Sequence, residues 1–136
     1  MEMKEALHMV QISSHPNNIS LIEDLVQNIT AGKNLSQDLH GNILISLTEA
    51  VNNAIVHGNC CDKNKNVKIL YTQRRNQIKF KISDEGKGFD PENLPDPTSP
   101  ENICNIGGRG VFLMRQLCDH IEFKDSGRTV EMHFKI

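Results

Sequence analysis

Three stretches of the chain set polar side chains at spacings that could do chemistry. In LHGNILISLTEAVNNAIVHG, Ser46, Glu49, Asn53 and His57 fall within one sector of a helix at 100° per residue, and Ile43, Leu44, Leu47, Val51, Ala54 and Ile55 take the opposite side. A carboxylate and a carboxamide one turn apart suit phosphoryl transfer. Asn53 can offer a neutral oxygen to Mg²⁺, and Glu49 can orient or deprotonate a hydroxyl nucleophile beside a metal-bound phosphate. The same stripe also fits the solvated face of an amphipathic helix.

In the second stretch, QIKFKISDEGKGFD, Ile78, Phe80 and Ile82 alternate with Lys79, Lys81 and Ser83, so period two places Asp84 on the apolar side of a strand. A carboxylate there needs a specific donor, because burying it unpaired costs several kcal/mol or forces it to take a proton. The exocyclic amino group of a purine is a suitable donor, and Gly86 and Gly88 would let the backbone come close to a flat ring. A plain turn, in which Asp84 bonds the backbone that follows it, accounts for the same residues.

The third stretch, GGRGVFLMRQ, puts Gly107, Gly108 and Gly110 at the opening of an apolar-periodic helix, where unpaired N–H groups and the positive dipole end favour phosphate. Arg109 would add a charge. Glycines before a helix are also common in flexible turns. Neither G-x-x-x-x-G-K-[ST] nor a G-x-G-x-x-G between a first strand and helix occurs, so the usual nucleotide signatures do not explain the site.

The elements that must position these residues follow from periodicity and punctuation. Residues 3–13 read as a first strand, and Ser14-His15-Pro16 opens a helix to about Thr30. Ser36 caps a central helix that runs to Gly58. Val67 to Arg74 and Gln77 to Asp84 form a hairpin, and FDPENLPDPTSPEN is one long loop. A third helix starts at residues 107–110, then strands at His120 to Lys124 and Arg128 to Ile136 join at Ser126-Gly127. Hairpins segregated from helices predict an α+β two-layer sandwich, with a mixed or mainly antiparallel sheet and three helices on one face.

Composition narrows the classes. At 136 residues the chain fits a single domain, 1–136, and a net charge of -2 with no basic, aromatic-interleaved face argues against direct nucleic-acid binding. The start lacks an apolar signal region and no stretch approaches the roughly 18 apolar residues that cross a bilayer, which predicts a cytoplasmic protein without a membrane partner. In that compartment Cys60, Cys61, Cys104 and Cys118 are expected as free thiols. The adjacent pair after His57 lacks the C-x₂₋₄-C spacing of a zinc site.

Taken in order, EAVNNAIVHGN, DEGKGFDP and GGRGVFLMRQLCD resemble the N, G1 and G2 boxes of the gyrase, Hsp90, histidine kinase and MutL (GHKL, or Bergerat-fold) ATPase superfamily. The short chain and the E-x-x-x-N-A-x-x-H-G form look more narrowly like anti-sigma-factor serine kinases, over almost the whole sequence. The resemblance implies ATP and Mg²⁺ as cofactors, Glu49 as catalytic base and Asn53 as magnesium ligand, with His57 a further N-box position. It implies Asp84 as the adenine-binding aspartate, Gly86 and Gly88 as G1 glycines, and Gly107, Gly108 and Gly110 as G2 glycines, with an ATP lid at about 92–108. It also implies a serine/threonine protein kinase that phosphorylates a serine on an anti-anti-sigma (STAS) partner and binds a sigma factor; a homodimer is open, since the sequence does not set the oligomeric state.

One position departs from that pattern. Where the family commonly has Thr after the final-hairpin glycine, helping to hold the adenine, Gly127 is followed by Arg128. Thr129 has the opposite strand parity and cannot substitute on the same face. Two rival functions remain: a detached histidine-kinase catalytic domain, which would need a phosphoacceptor histidine on a helical hairpin for which no room is expected before the first strand, and a nonenzymatic ATP-responsive binding module, which the retained Glu49 disfavours.

Overall fold

The computed structural model describes residues 6–88 and 108–136. Its strands are β1 (Ala6–Ser13), β2 (Asn66–Arg74), β3 (Gln77–Ser83), β4 (His120–Lys124) and β5 (Thr129–Lys135), and its helices are α1 (Ser20–Thr30), α2 (Gln37–Asn53) and α3 (Gly108–Leu117). The strands form one sheet in the order β1-β2-β3-β5-β4, and every adjacent pair is antiparallel. The expected α+β sandwich is therefore present, with the mainly antiparallel alternative realised.

Register explains why one face is closed. Ile69 pairs with Ile82 and Ile82 with Val130, while Phe80 pairs with Met132 and Ile78 with Phe134, so these side chains point to the same side. All are buried, in one cluster with Ile22, Val26 and Ile29 of α1, Ile43, Leu47 and Val51 of α2, and Val111 and Met114 of α3. The helices thus share that face. On the other side lie Leu7 and Met9, 66% and 61% exposed, and charged residues of β3, β4 and β5.

That open face hides one acid. Glu131 is only 5% exposed, because Lys124 (2.6 Å), His133 (2.9 Å) and Lys79 (3.0 Å) close over its carboxylate. Burial alone would raise its pKa, but the hydrogen bonds from Lys124, His133 and Lys79 outweigh it and hold the carboxyl at about 2.

Two helix boundaries differ from the sequence reading. The turn at Pro16–Ile19 is a 3₁₀ turn, started by His15 Nδ1 accepting from Asn17 N–H at 3.0 Å, and the α-helix proper begins only at Ser20. The central helix is capped by Ser36 as expected, its Oγ accepting from Leu39 N–H at 3.1 Å. It stops being α-helical at Asn53, and Ala54–Gly58 form a wider π turn closed by Asn59 N–H to Ala54 C=O at 2.8 Å.

Candidate functional site

The polar stripe of α2 is not a solvated face. Ser46 is fully buried, the Nδ2 of Asn53 is buried without a hydrogen-bond partner among the described residues, and Glu49 is half-buried. The cover is α3. A Cβ placed on Gly110 would stand 2.7 Å from Asn53 Nδ2 and 3.0 Å from Glu49 Oε2, so this glycine keeps open the space that the acid and the amide share. A buried amide nitrogen with nothing to bond is costly in a finished interior and points to a ligand that completes the site.

The π turn carries the stripe on to His57 and Gly58, and a buried polar hub fixes it to the sheet. Asn59, 1% exposed, donates from Nδ2 to Ser14 Oγ (2.8 Å) and Asn66 C=O (3.0 Å) and accepts from Glu85 N–H at Oδ1 (2.7 Å). Ser14 Oγ in turn donates to Lys65 C=O at 2.8 Å. With its polar groups matched, the network ties the end of α2 to β2 and to the turn after β3.

That turn presents Asp84. Its Oδ1 accepts from Gly86 N–H at 2.8 Å, and its backbone N–H donates to Arg128 C=O at 2.9 Å. Among the described residues none donates to Oδ2. The turn therefore accounts for one oxygen of the carboxylate and leaves the other open towards the cavity. Burial raises the Asp84 pKa, opposed by the Gly86 N–H and the Arg128 charge. Partial burial lowers that of His57, which stands exposed at the rim.

Close backbone approach explains the glycines. A Cβ on Gly58 would fall among the carboxylate atoms of Asp84, and one on Gly86 would fall on the Gly58 carbonyl. Gly88 has φ +81 and abuts the Ser126 carbonyl, which locks the β3 turn to the β4–β5 turn. Gly58 was legible in the sequence as a helix stop and as the closing glycine of E-x-x-x-N-A-x-x-H-G.

Between these walls lies a cavity of about 240 Å³. Asn53, His57, Asp84, Gly88 and Arg128 supply its polar rim, and Ala50, Ile82, Met114, Phe123 and Val130 its apolar lining. It is smaller than the roughly 300 Å³ at which drug-sized sites begin, a size that suits one flat ring system. The rest of a larger ligand would run from Asn53 towards Glu49 and the start of α3.

Of the residues singled out by sequence, the structure brings Asn53, His57, Asp84 and Gly88 to this cavity, with Glu49 and Gly110 beside Asn53 and Gly86 behind Asp84. Arg109 is exposed in the first turn of α3, which Gly108 opens, and it is not part of the cavity wall. Gly107 and nearly all of the expected lid lie outside the described residues. Thr129 bonds Asp125 Oδ2 (2.8 Å) and Ser83 Oγ (3.1 Å), in keeping with its opposite parity. Among the described residues no group of three or more His, Cys, Asp or Glu could hold a metal. A hard divalent cation would draw on Asn53 Oδ1 and on ligand phosphate and water oxygens, the coordination Mg²⁺ favours.

An antiparallel sheet with three helices on one face, an acid aimed into a ring-sized cavity and an acid–amide pair at its end define a nucleotide-binding α+β domain. The chain belongs to the histidine kinase-like ATPase domain family, whose model matches residues 12–134. The narrower resemblance is borne out in its relatives. The chain is 28% identical over 139 residues to a serine-protein kinase RsbW of Bacillus licheniformis, covering 96% of this chain and 87% of that one. It is 30% identical over 142 residues to the serine-protein kinase RsbW of Staphylococcus aureus (strain JH9), covering 97% and 88%, with the same figures for strain Newman. No helix among the described residues is long and apolar enough to cross a membrane.

Proposed function

We propose that the chain is a cytoplasmic serine/threonine protein kinase that binds Mg-ATP in this cavity and phosphorylates a serine on an anti-anti-sigma (STAS) protein, and that it also binds a sigma factor. The observation that carries the reading is the space kept open by Gly110, where Glu49 and the amide of Asn53, unpartnered among the described residues, meet at the end of the Asp84 cavity. The name serine-protein kinase on relatives that align over nearly the whole chain supports the choice of hydroxyl acceptor.

In this reading Asp84 Oδ2 accepts from the adenine amino group, and the apolar lining excludes water from the ring faces. Asn53 Oδ1 would hold the cation. Bound Mg²⁺ would supply neutralisation of charge on the phosphates. The N–H groups at the start of α3 face phosphate oxygens, as helix N-termini do. Glu49 accepts the proton of the serine hydroxyl as that oxygen attacks the γ-phosphorus in line and the bond to the β,γ-bridging oxygen breaks, releasing ADP; the role needs only a positioned carboxylate, since the transfer is otherwise electrostatics and geometry.

The test is affinity capture of partners with and without ATP, followed by transfer of labelled γ-phosphate to the captured STAS protein. Label on one serine, lost when that serine is changed to alanine, is the expected result. Tight ATP binding with no transfer to any captured partner would overturn the kinase assignment and leave a nucleotide-responsive binding module.

A further inference from the structure

Asp84 is not the only charged group in the base-sized cavity. Arg128 lines the same wall, and several observations fix how it does so. Its carbonyl accepts the backbone N–H of Asp84 at 2.9 Å, which sets the two residues side by side across the β3–β5 edge. Its Nε donates to the Asp125 carbonyl at 3.0 Å, anchoring the guanidinium by one corner. Its Cγ lies 3.4 Å from where a Gly88 side chain would begin, so the stem crosses the turn where glycine leaves room. The charge is felt at the Asp84 carboxyl, yet no hydrogen bond joins the two side chains.

Asp84 and Arg128 thus line one largely apolar cavity from neighbouring positions, the first with a carboxylate oxygen open to accept, the second, an exposed residue at the rim, with a tethered guanidinium able to donate. This pair reads a ring edge on which a donor stands beside an acceptor. A 6-aminopurine has two such edges, N6–H beside N1 and N6–H beside N7. We infer that Arg128 is a base-reading residue, donating through its terminal guanidinium nitrogens to a ring nitrogen of the purine whose amino group Asp84 accepts. The inference rests on the nucleotide reading of the cavity. It turns the departure at this position into a second, charged determinant of base recognition. Arg suits the task because its planar fork fixes the direction of donation, which a lysine ammonium does not.

The experiment measures dissociation constants by calorimetry for Mg-ATP and for its 7-deaza and 1-deaza analogues, with the parent chain, Arg128→Met and Arg128→Lys. Arg128→Met keeps an unbranched stem and removes the donors. It is expected to weaken Mg-ATP binding about 5- to 150-fold, the range for one lost hydrogen bond to a buried partner. One deaza analogue should bind the parent more weakly by a similar factor and lose little more in Arg128→Met, so that residue and ring nitrogen account for the same interaction. Parental Mg-ATP affinity in a folded Arg128→Met, equal losses with both deaza analogues, or full rescue by Arg128→Lys would each overturn the role of Arg128. Failure of the parent itself to bind Mg-ATP is a different result and overturns the nucleotide reading together with it.

Discussion

Replacing Gly58 by alanine tests the geometry of the site with a single methyl group. The added Cβ would stand 2.6 Å from Asp84 Oδ1, and nearer still to Cγ and Oδ2, where ordinary contact begins at 3.4 Å. The carboxylate or the end of the helix must therefore give way by most of an ångström. The helix end has little room, because the Gly58 carbonyl is already pressed against Gly86 and Asn59 is held on three sides. Asp84 is the group that moves, and it loses the 2.8 Å bond from Gly86 N–H. Overpacking of this kind costs about 1 to 3 kcal/mol of stability. Losing the aligned acceptor in the bound state costs a further 1 to 3 kcal/mol or so of binding, about 5- to 150-fold in affinity. Calorimetric titration with Mg-ATP and thermal unfolding measure the two effects separately. Gly41→Ala is the control: in α2, with nothing within 4 Å of the place its methyl would take, it should stabilise by about 0.5 to 1 kcal/mol and leave affinity alone. Parental affinity in a folded Gly58→Ala would refute the packing argument, and with it the placement of Asp84.

Glu49→Gln should retain most ATP affinity while phosphoryl transfer falls roughly 100-fold or more, whereas Asn53→Ala should weaken both, as kinase assays paired with nucleotide titration would read. Asp84→Asn should raise the melting temperature of the nucleotide-free protein at neutral pH while weakening ATP binding. Its folded-state pKa is raised by burial, so the charged form costs stability above that pKa, and the difference from the parent should shrink as the pH falls through it. Glu131 has the opposite sign: with its pKa lowered from 4.5 to about 2, its stabilisation is complete above 4.5 and disappears as the pH falls from there towards 2. Converted at 1.36 kcal/mol per pKa unit, that is up to about 3 kcal/mol, and Glu131→Gln should flatten the acid limb of a denaturation curve measured against pH.

How far the sequence could be read depended on the range of the physics behind each feature. Alternation in Ile78, Phe80 and Ile82 is local, and it placed β3 and the approach of Asp84 correctly. Helical spacing put Ser46, Glu49 and Asn53 on one sector, but spacing is silent about what covers a sector, so a solvated face and a site looked alike until α3 was seen to lie over it. The 3₁₀ turn at Pro16–Ile19 and the π turn at Ala54–Gly58 use φ and ψ close to those of an α-helix, and residue types alone do not separate the three. Asn59 was missed because its partners, Ser14, Asn66 and Glu85, come from three separate parts of the chain. Arg128 was visible as a departure, but only the wall it shares with Asp84 gave it a use.

The crowding of Gly58, Gly86 and Asp84 also constrains how such a chain can drift. A methyl group at position 58 collides with a side chain, so a shorter residue at position 84 would relieve it; a methyl group at position 86 collides with a carbonyl, which no side-chain exchange removes. The two glycines are therefore unequal. A descendant that gave up nucleotide binding, and with it the carboxylate, would release position 58 to vary while position 86 stayed fixed by the backbone. Glycine at 86 is then required by the backbone, and glycine at 58 only by the carboxylate at position 84.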